Sequence, residues 1–138
     1  MSFDIFLQCF REGEPAYFKR EIFEAIFLPH SRYVSSYRRD PSFLRVDYPG
    51  GSGSDIYCGK EVDIDHLMFN HGGGEPLFQS MFELAKQTRS VIYCPSETSW
   101  AVITEEATRK DLPKDFPDRD VAPVVYSGAD IIKAIEAD

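Results

Sequence analysis

The residues with the strongest claim to chemistry are Glu61, Asp63 and Asp65, in the run Glu61-Val62-Asp63-Ile64-Asp65. Alternation at period two predicts a strand with the carboxylates on one face and Val62 and Ile64 turned inward. Neighbouring carboxylates would stand about 7 Å apart. Glycoside hydrolases use two carboxylates at comparable separations, one on each side of the scissile bond. A row projecting from one strand faces a single way, which suits a docking surface better. His66 and His71 flank the row. Imidazole and carboxylate suit zinc and similar ions, but the spacing matches no zinc motif and Cys-x-x-Cys is absent. The expectation is no catalytic residue, no metal and no cofactor, with a partner-binding set of Glu61, Asp63, Asp65, His66 and His71.

Other segments carry weaker signals. Gly72-Gly73-Gly74 at a helix start offers backbone N–H groups to a phosphate. Glu75 places a negative charge there, however, and Pro76 removes a donor. Gly51-Ser52-Gly53-Ser54 has the composition of a nucleophile turn, but it joins strand to strand where that motif joins strand to helix. Cys9, Cys58 and Cys94 each lie in apolar, strand-like stretches and read as buried thiols in a reducing compartment. Trp100 begins a strand and is expected in the core.

Charge narrows the partner. Residues 1–45 carry a net +1 and residues 46–138 a net −9, together the −8 of the chain. With a pI near 4.8, nucleic acid is excluded as a partner, because phosphate binding needs a basic surface. A protein with a basic surface is the expected partner, since complementary charge speeds the encounter. No apolar run reaches membrane-spanning length, and Met1-Ser2-Phe3-Asp4 lacks the basic start and apolar core of a signal peptide. A cytoplasmic location without membrane contact is expected.

These side chains must be positioned by a single domain spanning residues 1–138. Phe3 to Phe10 predicts a strand inside a sheet. Gly13-Glu14-Pro15 predicts the start of a helix carrying Phe18, Ile22, Ala25 and Ile26, with Phe23 and Phe27 widening the stripe, ended by Pro29. Residues 30–42 show no period and predict a loop. Phe43–Tyr48 and Asp55–Cys58 flank a glycine cluster as a hairpin, continued by Glu61–Phe69 into a three-stranded meander. Gly74-Glu75-Pro76 opens a helix with the stripe Leu77, Phe78, Met81, Leu84 and Ala85. Val91–Cys94 and Trp100–Thr104 predict a strand pair. A short helix comes next with Thr104 as N-cap, then a proline-rich loop over 111–123 and a short strand at Val124–Tyr126. Ser127-Gly128-Ala129-Asp130 is a capping pattern for a last helix. The order β-α-β-β-β-α-β-β-α-(β)-α predicts an α+β fold, a mostly antiparallel sheet with helices packed on it.

The opening Met-Ser-Phe-Asp-Ile-Phe-Leu-Gln-Cys-Phe, the Gly-Glu-Pro after it, the glycine-rich hairpin and the terminal Ser-Gly-Ala-Asp-Ile-Ile resemble a loose group of small bacterial cytosolic proteins. Several such groups resemble immunity proteins of polymorphic-toxin, contact-dependent or type VI systems. The resemblance covers most of the chain in size and layout and transfers no functional residue. It implies a non-enzymatic protein that binds and blocks a toxin. An accessory interaction domain and a small metal-dependent hydrolase are the alternatives.

Overall fold

The computed structural model describes residues 4–95 and 99–136. Phe3, at the head of the first expected strand, and residues 96–98, between the expected strands Val91–Cys94 and Trp100–Thr104, lie outside them. Chain order is β1 (Ile5–Arg11), β2 (Glu14–Pro15), β3 (Phe18–Lys19), α1 (Arg20–Phe27), α2 (Val34–Arg39), β4 (Phe43–Asp47), β5 (Gly53–Tyr57), β6 (Asp63–Ile64), β7 (His66–Gly73), α3 (Glu75–Thr88), β8 (Ser90–Cys94), β9 (Trp100–Val102), α4 (Glu106–Asp111) and α5 (Gly128–Glu136). This is the α+β architecture that the periodicities predict.

The main sheet has the order β4-β5-β7-β1-β8-β9, with every neighbouring pair antiparallel. β7 and β8 flank β1, and α3 carries the chain from one to the other across it. The helix face of the sheet holds the main core. Leu7, Leu44, Ile56, Leu67, Phe69 and Ile92 meet Phe23 and Phe27 of α1 and Leu77, Met81 and Leu84 of α3. The stripe expected for α3 is buried throughout. In α1 the stripe is centred on Phe23 and Phe27, with Ile22 and Ile26 only partly buried and Ala25 exposed. All three cysteines are free and buried, and Trp100 is in the core.

The opposite face is covered at one end only. Phe10, Val91, Ala101 and Ile103 pack there against Leu112 and Ala122, with Phe116 alongside. The segment after α4 therefore works as a strap over β1, β8 and β9. Over β4, β5 and β7 that face stays open.

Several elements differ from expectation. Glu14-Pro15 does not open a helix. It folds back on β1 through a two-residue turn, Glu12-Gly13, both with positive φ (52° and 83°), the backbone that a tight hairpin needs. Residues 30–42 contain α2, held by tertiary contacts that no local period records. Its Tyr37 sits against Phe23, ring centroids 6.4 Å apart, and its hydroxyl donates to Glu24 Oε2 at 2.7 Å. The expected meander is broken, because β6 leaves the main sheet and pairs with β3, opposing Phe18 to Ile64. α4 is entered from Glu105, with Thr104 buried just ahead of it. Val124 makes one parallel bridge to Ile103 in place of a strand.

Candidate partner-binding site

The pairing of β3 with β6 builds a small ledge beside the main sheet. Phe18 and Ile64 turn into the core, while Lys19 and Asp63, directly opposed, turn outward. One guanidinium fastens the loop before β6. Arg20 Nε donates to the Glu61 carbonyl at 2.7 Å, and Nη2 donates to the Gly59 and Cys58 carbonyls at 2.5 and 3.3 Å. Nη1 donates to the Pro41 carbonyl at 3.0 Å and to the Tyr37 hydroxyl at 3.1 Å. The Arg20 backbone N–H adds a bond to the Val62 carbonyl at 2.9 Å. Burial, assisted by Glu24 and opposed by Arg20, pushes the Tyr37 hydroxyl up to about 12. It therefore stays protonated at neutral pH and continues to donate to Glu24.

The carboxylate row is less regular than its spacing predicts. Glu61 precedes β6 and Asp63 lies on it, and both side chains are exposed. Val62, expected inside with Ile64, is 72% exposed. β6 is only two residues long, so the alternation runs beyond the core that would have covered Val62. Asp65 is half-buried and bonded to His66, Oδ1 to Nδ1 2.8 Å, on the open face of the sheet. It therefore does not continue the row. His71 belongs to β7 by its backbone, and its side chain lies outside the described residues. Among the described residues no group of three or more His, Cys, Asp or Glu side chains gathers as a metal site.

Periodicity also missed one residue of the ledge. Tyr17, 65% exposed, lines a shallow cavity of about 380 Å³ with Glu61, Val62 and Asp63. An adjoining hollow is lined by Lys19, Arg20, Glu21, Glu24 and Val62. The site is thus an apolar pair, Tyr17 and Val62, bordered by Glu21, Glu61 and Asp63, with Lys19 opposite Asp63 and Arg20 in the same lining. The signal for Tyr17 is the two-residue hairpin turn Glu12-Gly13, which puts Tyr17 in the connection after the hairpin instead of in a helix.

A second surface crosses the open face. Phe43, Tyr57, Met68, Phe6 and Tyr93 are directly opposed across five successive strands. Opposed residues share a face, so they form one apolar row. At its covered end, Tyr93 meets Phe116 of the strap with ring centroids 5.1 Å apart. At its open end, Phe43 and Tyr57 are 36% and 44% exposed. Beside Phe43 a cavity of about 420 Å³ lies between α2 and β4–β5, lined by Tyr33, Ser36, Tyr37, Asp40, Phe43, Arg45 and Asp55. Arg45 is already held by Asp47 and Asp55, at 2.9 and 3.2 Å.

Compared with known proteins, the chain matches no family model, no curated protein and no solved structure.

Proposed function

We propose that this is a non-enzymatic binding protein of the immunity type, which neutralises a toxin by docking its ledge onto a basic surface of that toxin. The observation that carries the reading is the exposed Tyr17–Val62 pair bordered by Glu21, Glu61 and Asp63, with Lys19 opposite Asp63. An aromatic anchor desolvated at the centre of an interface supplies affinity. Surrounding charge supplies encounter rate and choice of partner. The Arg20 bonds to the 58–62 backbone support this reading, because they hold the ledge in shape before anything binds. Docking then costs little ordering of the loop.

The test is capture from the source cell by the wild-type protein and by the pair Glu61→Lys plus Asp63→Lys. A basic protein, toxic when produced alone, should be retained by the wild type. The charge-reversed form should associate more slowly, and the wild-type rate should fall as salt rises. Equal capture and equal rates for both forms would refute the assignment.

A further inference from the structure

We propose that residues 59–63, which carry Glu61, Val62 and Asp63, form a flap that opens as a local unit while the sheet stays folded, and that the Arg20 guanidinium is its latch. Gly59, Lys60, Glu61, Val62 and Asp63 are five successive exposed residues, and none of them belongs to the core. A hollow of about 370 Å³, lined by Val62 with Lys19, Arg20, Glu21 and Glu24, shows that the flap is not packed down onto α1. Its attachments are polar: the Arg20 bonds to the carbonyls of Gly59, Glu61 and Val62, and the short ladder that opposes Asp63 to Lys19. A segment held by exposed hydrogen bonds and little buried apolar surface opens at a fraction of the global unfolding free energy.

The ends of the flap are marked. Cys58 and Ile64, on either side of it, are 4% and 3% exposed and anchored in the core. Gly59 has a φ of 66° and nothing within 4 Å of where a Cβ would stand, so the chain can turn just beyond Cys58.

Arg20 bridges the flap and the body. Nε and Nη2 hold the carbonyls of Glu61 and Gly59, while Nη1 is bound to the Tyr37 hydroxyl and the Pro41 carbonyl. A planar guanidinium reaches all of these together, which a lysine ammonium cannot do. Arg20 is thus a positioning residue. It sets the fraction of molecules whose ledge is in its docking shape, and apparent affinity for a partner falls in proportion to that fraction. This last step rests on the ledge being the docking surface; the opening itself does not.

Cys58 reports the opening. Its Sγ lies 3.6 Å from Arg20 Nη1, beside the latch, and Cys9, buried on the central strand β1, is the internal control. Alkylation of the native protein by iodoacetamide, resolved by cysteine with mass spectrometry, should modify Cys58 about tenfold or more faster than Cys9. Low urea should change the Cys58 rate little and raise the Cys9 rate steeply, because only global unfolding exposes much surface. Arg20→Met should accelerate Cys58 about tenfold or more and leave Cys9 unchanged. Thiol chemistry alone gives the opposite sign. Burial pushes the Cys58 thiol up and Arg20 opposes that shift, so losing Arg20 makes the reactive thiolate scarcer. Acceleration therefore reads opening. Tyr37→Phe removes one hydroxyl partner of Arg20. It should give a smaller acceleration, and it covers the case of an Arg20 variant that fails to fold. Three results would overturn the latch: Cys58 alkylated no faster than Cys9 in the wild type, both rates rising together in the variants, or a Cys58 rate indifferent to them. No partner protein enters the experiment, so its failure leaves the capture test above standing, and failure of that test leaves the opening intact.

Discussion

The tripeptide Gly-Glu-Pro occurs twice, and the two copies fold differently. Gly13-Glu14-Pro15 is the second half of a hairpin, with Glu14 and Pro15 extended against Arg11 and Phe10. Gly74-Glu75-Pro76 is a helix start, with Gly74 as N-cap and Pro76 in the first turn. Both glycines have positive φ, 83° and 94°. The flanking residues decide between them. Glu12 takes positive φ (52°) ahead of Gly13, and Asp111 holds the turn, its carboxylate accepting from the Glu12 N–H at 3.1 Å and its carbonyl from the Gly13 N–H at 2.9 Å. After Pro76 come Leu77, Phe78, Met81, Leu84 and Ala85, an apolar stripe that a helix alone can bury as a unit. After Pro15 only Phe18 is buried before α1, and Ile64 supplies its strand partner. A helix-start tripeptide permits a helix, and burial of the side chains downstream of its proline decides whether one forms.

The contrast is sharpest in the glycines. Gly74→Ala should destabilise by about 2–4 kcal/mol, because a Cβ there meets the Ser52 side chain on top of the positive φ. The check is a shift of the urea midpoint at unchanged slope. An effect as small as that of Gly13→Ala would erase the distinction.

Asp111→Asn should come next, at about 1–3 kcal/mol, since it removes the charge facing Arg89 at 2.6 Å and weakens the hold on the first turn. Burial raises the Asp111 pKa, but the Arg89 guanidinium and the Glu12 N–H outweigh it and leave the carboxyl below its ordinary value. Its contribution is therefore complete above the unfolded pKa of about 3.9 and fades as pH falls through the lower folded value. In urea titrations across pH, the gap between wild type and variant should be constant near neutrality and shrink only under acid conditions. A gap that grows on acidification would contradict the assignment.

Gly13→Ala should cost about 1 kcal/mol, the strain of positive φ alone, because the nearest atom to the added Cβ is Pro113 Cα at 3.9 Å. Pro76→Ala should be smallest, within about 0.5 kcal/mol by thermal melting, because the first helical turn accepts proline without requiring it.

The features legible in the sequence are local ones. The α3 stripe, the glycine-rich hairpin and the β8–β9 pair each carry their signal within a few residues, and each is present in the structure. The α+β class comes from their order. The ledge is half legible. Period-two alternation puts Glu61 and Asp63 on the surface, where they are, but it also puts Val62 inside, because it extends past the two residues that β6 occupies. Tyr17 is hidden when Gly13-Glu14-Pro15 is read through the rule that fits Gly74-Glu75-Pro76. Arg20 reads as a solvated helix residue. Its partners are backbone carbonyls at 41, 58, 59 and 61, and a carbonyl belongs to every residue type alike. No composition or spacing marks such a set.

The strand order also bears on how the protein is made. Of the strands in this sheet, β1 is synthesised first, and it lies in the middle. One of its neighbours is at His66–Phe69 and the other at Ser90–Tyr93. The nascent chain must hold Ile5, Leu7 and Cys9 without their final partners until those distant segments have left the ribosome. Contacts so far apart in sequence close late and slowly, and an unpaired apolar strand is a template for aggregation in the interval. Truncation between β7 and β8 would leave that strand permanently half-paired, and truncation before β7 would leave it without either neighbour.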